Sequence, residues 1–432
     1  MCILIFLIFL FFLAIVESLY IFLFFNENDL DFIENDYCQK NIDNLSIIEK
    51  YACDNKYKKS KFIWIALDGC AYDLLYELKD KDKYNILNFF KVIHSGLKIT
   101  GPIHETQLTG TYSINKAYNT IKKDNLFVQI KNIDYHGLIY PYDLFFYDRP
   151  VFNNKYIENN IEDYSLKNFC DLNINLNDKK IDEYLNKYTL KTGQLKNKKD
   201  IDKIYKYFDD YFSDKKNVDF DKCFKDLGFL QNNKSFLYYS DNIDHINHYF
   251  FKYHKYNIKN IYAAETFIKE LFKWIDNNPD YALIISSDHG GIEVPLEEYF
   301  YVHGNYKENN SAIFLIYTKE FKDKYNEWKD NDNNKKINLN DISSTIAQIL
   351  KGVNIPLENE GFPKILGDDK ILRVSAIKSK EFQLINFIEK YQNKYNKKIF
   401  NKILNKINTS KYKLINDLNY FDKKIQTNIL IF

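Results

Sequence analysis

A dominant charge is missing. The chain carries 60 Lys and Arg against 59 Asp and Glu, a formal net charge of +1. No global basic field therefore points to nucleic acid. A Cys-x-x-Cys motif is missing too: the six cysteines are irregularly spaced, so the common structural zinc frameworks are excluded. Methionine occurs once in 432 residues. Asn, Lys, Ile and Tyr recur throughout, and aromatic residues reach 17%. That uniform bias says little about function. After about residue 375 the chain has a basic, helical pattern with no second long apolar run. The final ILIF is too short to cross a membrane.

One long apolar run is present, at the start. MCILIFLIFLFFLAIVESLYIFLFF contains no Lys or Arg and one acid, Glu17. At about 1.5 Å per helical residue, residues 1–25 reach across a hydrocarbon core of roughly 30 Å. Two readings are open, a cleaved signal peptide and a signal anchor. The length and the lack of a clean small-x-small cleavage site favour an anchor. Either reading sends the remainder across a membrane, where Cys38–Cys53 is a candidate local disulfide. Four N-x-S/T sequons, at Asn44, Asn233, Asn309 and Asn408, fit a lumenal glycoprotein.

Residues 26–58 read as a polar stalk. KFIWIALDGC (61–70) is an apolar run that ends in Asp-Gly, as a buried parallel strand ends at a functional edge. NILNFFKVIHSG then reads as an amphipathic helix stopped by Gly96, and LKITG as the next strand. Residues 150–235 are Asn-, Lys- and Asp-rich with weak periodicity and read as an insertion or cap. SFLYYSDNIDH repeats the strand-then-acid pattern, and IKNIYAAETFIKELFKWIDNN reads as a helix. YALIISSDHGG (281–291) is the clearest strand end, and SAIFLIYT is a further strand. NDISSTIAQILKG reads as a helix capped at Asn340 or Asp341 and closed by Gly352. This alternation predicts an α/β fold with a largely parallel sheet. Ligands of such sheets gather at the carboxyl ends of strands, where Asp68, Asp244 and Asp288 fall.

Singly these residues say little, since acids and Asp-His-Gly-Gly turns are common at strand ends. Asp244 and His248 are spaced i, i+4, so a helix would place both on one face. His303 alone reads as a loop histidine. In combination, three strand-end acids with spaced histidines suit a two-metal site with mixed Asp/His ligands.

At these residues the chain resembles the alkaline-phosphatase-like superfamily, and within it the ethanolamine phosphate transferases of GPI-anchor synthesis. IALDGCAYD resembles the first metal-ligand motif, YYSDNIDHINHYF the Asp-His-x-x-His block, and SSDHGGIEVPLEEYFYVHGN the Asp-His-Gly and later His-Gly blocks. LNDISSTIAQILKGVNIPLENEGF is similar to a capped helix followed by Ile-Pro and a late glycine. The likeness covers roughly residues 60–390. Two departures stand out. Ala71 replaces a frequent Arg, and the relatives' polytopic C-terminal half is not seen.

The resemblance implies an alkaline-phosphatase-like three-layer sandwich at 59–375, with a helical tail at 376–432 and one transmembrane helix ahead of the domain. It implies two Zn²⁺ ions, one held by Asp68, Asp288 and His289 with the nucleophile, the other by Asp244, His248 and His303. His245 has a supporting role and Asp241 none. The nucleophile is a threonine at a helix start, Thr106 first, then Thr100 and Thr109. The activity implied is transfer of phosphoethanolamine from phosphatidylethanolamine to a mannose of a GPI precursor. A class O acceptor, the third mannose, is weakly preferred to class G, the second. The expected setting is the endoplasmic reticulum membrane with a lumenal catalytic domain, lipid substrates, a possible membrane partner subunit and no nucleic acid. The rival expectations are a metal-dependent phosphodiesterase or nucleotide pyrophosphatase, and an inactive or non-enzymatic membrane-anchored module.

Overall fold

A computed structural model describes residues 50, 52–54, 57–72, 90–94, 100–112, 124–130, 135–137, 175–214, 235–240, 242–250, 253–290, 292–294, 300–302, 312–321, 336–364 and 370–391. All belong to the compact unit Asn35–Phe432. The expected anchor at 1–25, the asparagines of the four sequons, Cys38, Asp241 and His303 lie outside the described residues. Among the described residues no helix is long and apolar enough to cross a membrane. Cys53 is disulfide-bonded, Cys70 is free and buried, and the partner of Cys53 lies outside the described residues.

The centre is β1 (Lys61–Leu67), whose residues 62–67 are all buried. Successive side chains on a strand point to opposite faces. Six consecutive buried residues therefore require cover on both faces, which explains the unbroken apolar run. The same holds for β5 (Tyr281–Ser286) and β8 (Ala312–Tyr317), buried throughout. The other strands of this sheet are β2 (Phe90–Ile93), β3 (Tyr135–Gly137), β4 (Ser235–Ser240) and β9 (Lys336–Asn338). Their order is β3-β4-β1-β5-β8-β2-β9. Among the described strands only β8 runs against the rest, pairing antiparallel with both β5 and β2. The sheet is thus mixed, with the largely parallel character the alternation implies. A separate antiparallel pair joins β6 (Ile292–Val294) to β7 (Phe300–Val302).

Register decides where chemistry can gather. Leu67 lies opposite Ser240 of β4, and Ala66 opposite Ser286 of β5. Three strands therefore end together, with Asp68 and Ser287-Asp288 as the next residues on two of them. Trp64 donates its indole N–H to Ser286 Oγ at 2.9 Å, so a buried donor on β1 is satisfied at β5.

One expected segment differs. FKVI was expected in a helix and LKITG as a strand. Instead residues 90–93 form β2, while Thr100–Thr109 form α1. Val92 and Ile93 are β-branched, and pairing with β8 and β9 supplies hydrogen bonds a local period does not reveal.

The other α-helices among the described residues are α2 (Leu126–Gln129), α3 (Lys179–Tyr188), α4 (Ile201–Tyr211), α5 (Asn242–Tyr249), α6 (Lys255–Asn277), α7 (Asp341–Ile349) and α8 (Lys370–Tyr391). Within the expected insertion, α3 and α4 meet through stacked Tyr184 and Tyr207, ring centres 3.7 Å apart. Helix α8 crosses residue 375 and packs Phe382 with Ala52 and Cys53. Its Lys380 Nζ donates to the Asn359 carbonyl and Oδ1 at 2.5 and 3.2 Å. Lys58 Nζ likewise donates to the carbonyls of Ala347 and Leu350, at the end of α7.

Burial lowers both Lys58 and Lys380 to about 7, against roughly 10.4 for an unfolded lysine. Between those values the unfolded chain binds more protons, so stability rises with pH and is lost as pH falls towards 7. Urea midpoints are expected to increase from pH 7 to pH 9. Lys380→Met, which keeps the stem and removes the titrating group, should flatten that rise; an unchanged slope would contradict it.

Candidate active site

The strand ends converge as their register requires. Asp68 is the residue after β1, and Asp288 and His289 follow β5 by two and three positions. Asp68 is 5% exposed, and Asp288 and His289 are fully buried. Asp244 lies in the first turn of α5 and is partly buried. One ligand atom each from Asp68, Asp244 and His289 falls within 4.8 Å of the others, and the same holds for Asp68, His104 and Asp288.

Gly69 is the hinge of this arrangement. Its φ of +67° lies in the left-handed region, which glycine adopts without a Cβ penalty. Its N–H donates to Asp288 Oδ1 at 3.0 Å. Its carbonyl accepts from Asn247 Nδ2 at 3.2 Å. A Cβ here would lie 2.6 Å from Asp244 Cβ. The turn after β1 thus touches the residues after β5 and the helix after β4 at once. Ser287 tightens it further, donating its hydroxyl to the Cys70 carbonyl at 2.7 Å and accepting from Ile313 N at 2.8 Å.

The electrostatics call for a cation. Burial, then the nearby carboxylates of Asp68 and Asp244, push Asp288 well above the usual carboxylate range. His289 Nδ1 lies 3.0 Å from the Gly290 carbonyl. A carbonyl only accepts, so that nitrogen carries the hydrogen. In the neutral ring, Nε2 then directs its lone pair towards Asp68 Oδ1 and Asp288 Oδ2, at 3.3 and 3.1 Å. A carbonyl that sets the tautomer of a histidine ligand is the usual second support of metal sites. Carboxylate and imidazole donors at this spacing fit a divalent transition-metal ion.

The expected residues divide as follows. Asp68, Asp244, Asp288 and His289 are brought together. Asp244 and His248 stand four residues apart on α5, with His245 next to Asp244, and the side chains of His245 and His248 lie outside the described residues. The strand β7, which ends one residue before His303, packs against α5. Thr106 and Thr109 are buried in α1, their hydroxyls donating to the carbonyls of Pro102 and Glu105, both at 2.8 Å. Thr100 is the first residue of that helix.

Sequence reasoning missed three contributors. Asn247 holds the Gly69 carbonyl, and its only local signal is its place between Asp244 and His248. Gln107 Nε2 donates to the Ser287 carbonyl at 2.7 Å. His104, on the same helix, is 1% exposed and points Nε2 at Asp288 Oδ2, 3.8 Å away. Burial lowers His104 to about 4, against the opposing pull of Asp68. Scarcity was the available hint, since the chain has only 8 histidines.

A family model described as type I phosphodiesterase / nucleotide pyrophosphatase matches residues 144–367, just over half of the chain. The matched span contains Asp244, Asp288, His289 and His303. No curated protein matches the sequence. Among solved structures, wild-type alkaline phosphatase PafA is similar at 11% identity over 72% of this chain and 99% of that one, with a TM-score of 0.41. The alkaline phosphatase of the Antarctic bacterium TAB5 is similar at 13% identity over 68% and 99%, TM-score 0.35. The soluble domain of lipooligosaccharide phosphoethanolamine transferase A from Neisseria meningitidis is similar at 11% identity over 73% and 92%, TM-score 0.35.

Gly69→Ala should cost at least about 1–2 kcal/mol through its left-handed backbone alone, with the Asp244 collision added. Gly352 shares a positive φ of 71° but has nothing within 4 Å of a built Cβ, so Gly352→Ala isolates the backbone part. The urea midpoint is expected to fall further for Gly69→Ala than for Gly352→Ala. Equal falls would show that the Asp244 contact is not restrictive.

Proposed function

The chain belongs to the type I phosphodiesterase / nucleotide pyrophosphatase family, and we propose that within it the protein transfers phosphoethanolamine from phosphatidylethanolamine to a mannose of a GPI-anchor precursor. The observation that carries the reading is the meeting of Asp68, Asp288 and His289 with Asp244 at one sheet edge. Phosphoryl transfer needs positioning and charge stabilisation rather than elaborate covalent chemistry, and that edge supplies the ligands. Two zinc ions are proposed, one held by Asp68, Asp288 and His289, the other by Asp244, His248 and His303. When bound, such ions offset charge on the phosphoryl oxygens and lower the pKa of a bound hydroxyl. The apolar run at 1–25 supports a membrane-anchored domain in the endoplasmic reticulum lumen, where both lipids are accessible.

The nucleophile is assigned to Thr100 ahead of Thr106. A helix N-terminus favours an anionic phosphoryl group, and Thr100 begins α1. The hydroxyls of Thr106 and Thr109 are engaged by carbonyls one turn back. In the first step the Thr100 oxygen bonds to phosphorus as the bond to the diacylglycerol oxygen breaks, and the diacylglycerol leaves with a proton. In the second, a mannose hydroxyl attacks the phosphothreonine, its proton returns to the threonine, and phosphoethanolamine passes to the sugar. Both displacements are in line, so one site serves both.

The family description itself favours a second reading, a phosphodiesterase or nucleotide pyrophosphatase with water as the final acceptor. One assay separates them. Labelled phosphatidylethanolamine and a mannolipid acceptor should yield labelled mannolipid with the full chain; hydrolysis of nucleotide diesters without such transfer would select the second reading. Asp288→Ala is expected to lower turnover by about 100- to 1,000-fold. Thr100→Ala should abolish the labelled phosphoprotein while Thr106→Val retains it, and the opposite pattern would return the nucleophile to Thr106.

A further inference from the structure

Helix α1 delivers two side chains to the end of β5. Positions 104 and 107 are spaced i, i+3 and so share a face of the helix. Gln107 reaches the backbone just before Asp288, and His104 reaches the Asp288 side chain. All four residues of this contact, His104, Gln107, Ser287 and Asp288, are at most 1% exposed.

The hydrogen bonds fix the state of the imidazole. The Gln107 amide group 2.7 Å from the Ser287 carbonyl must be the NH₂, because a carbonyl only accepts. That turns Gln107 Oε1 towards His104 Nδ1, at 3.2 Å. An amide oxygen also only accepts, so Nδ1 carries the hydrogen and the neutral ring leaves a lone pair on Nε2. This lone pair faces Asp288 Oδ2 across 3.8 Å. Asp288 Oδ2 is fully buried and accepts no hydrogen bond among the described residues. Two electron-rich atoms held face to face repel each other unless a proton or a metal ion lies between them; 3.8 Å is too long for a shared hydrogen bond, while one atom each of Asp68, His104 and Asp288 lies within 4.8 Å of the others, as around one ion. Nitrogen and oxygen ligands of one zinc-sized ion, each about 2.1 Å from it, stand at most about 4.2 Å apart, and the observed separation is within that limit.

We infer that His104 is a direct ligand of the ion bound by Asp68 and Asp288, and that Gln107 is a positioning residue that holds the ring in its ligating tautomer. The inference rests on the metal-site reading above and adds to it a ligand from the helix that begins with Thr100. One helix then supplies both a proposed nucleophile at position 100 and a metal ligand one turn later. Their spacing is set by the 3.6-residue period and not by a loop. A histidine ligand whose other nitrogen is held by a side-chain amide follows the same logic as the Gly290 carbonyl behind His289.

The test is Co²⁺ titration of the metal-stripped full chain in detergent, read by its visible absorption and by metal content from mass spectrometry. The wild type should bind saturably. His104→Ala should weaken Co²⁺ binding by at least about 100-fold and shift the absorption bands, because a nitrogen donor is lost. Gln107→Leu should weaken binding by about 10- to 100-fold with the bands retained, because the donor remains and only its orientation is loosened. If His104→Ala loses the near-ultraviolet circular dichroism of the metal-free protein, His104→Gln, which keeps the volume, replaces it under the same expectations. Wild-type binding with unchanged affinity and bands in the His104 variant would overturn the inference while leaving the metal site standing. A wild-type chain that binds neither Co²⁺ nor Zn²⁺ would overturn the metal reading itself, and this inference with it.

Discussion

Everything at the candidate site follows from carboxylates forced together in a place where water is scarce. Asp288 is fully buried and feels the charges of Asp68 and Asp244. A lone buried charge is strongly disfavoured, and three acids at one edge add mutual repulsion. Such a cluster persists only if something compensates it. The Gly69 N–H contributes one hydrogen bond to Asp288, and the imidazoles of His289 and His104 converge on the same acids. Bound cations would complete the compensation, which makes the cluster both a stability problem and a chemical asset.

The sheet makes that crowding possible. β1 is held on both sides by parallel neighbours whose ends align within a residue. Its apolar side chains are buried on both faces, so the strand cannot slip by one residue without turning its packed set over. The positions after Leu67 and Ser286 are consequently fixed relative to one another. Gly69 then makes the sharp turn that lets α5 approach, as only a residue without a side chain can.

Helix α1 is held at its far end by a segment remote in sequence. The Gly110 carbonyl accepts from Glu360 N at 3.0 Å, and Thr111 Oγ1 donates to the Glu358 carbonyl at 2.9 Å. Asn359 links this loop to Ser343 of α7, while Leu357 N donates to Asp124 Oδ2 at 2.7 Å. Lys380 and Gln383 of α8 hold the same loop from the other side. The block ILKGVNIPLENEGF therefore acts as a clasp on the end of α1. At Gly361 a Cβ would strike the Asn340 carbonyl at 2.0 Å, which explains why a glycine stands there. The clasp places α1 so that His104 and Gln107 meet the end of β5.

Local pattern determined much of this protein. Apolar runs closing in acids marked β1 and β5 and put Asp68, Asp288 and His289 at strand ends. The i, i+4 spacing of Asp244 and His248 marked a helical face. These signals are legible because burial on both faces of a strand, and the helical period, impose themselves on neighbouring residues. Tertiary structure alone decided the rest. FKVI became a strand because β8 and β9 supplied its partners, overriding a helical period. The threonines of α1 are told apart by where the helix begins, at Thr100, and by the carbonyls that engage Thr106 and Thr109. His104 and Gln107 gained their meaning because a loop some 250 residues downstream clamps their helix against β5. Contacts between segments so far apart leave no local period, and only the folded chain brings their groups within bonding distance.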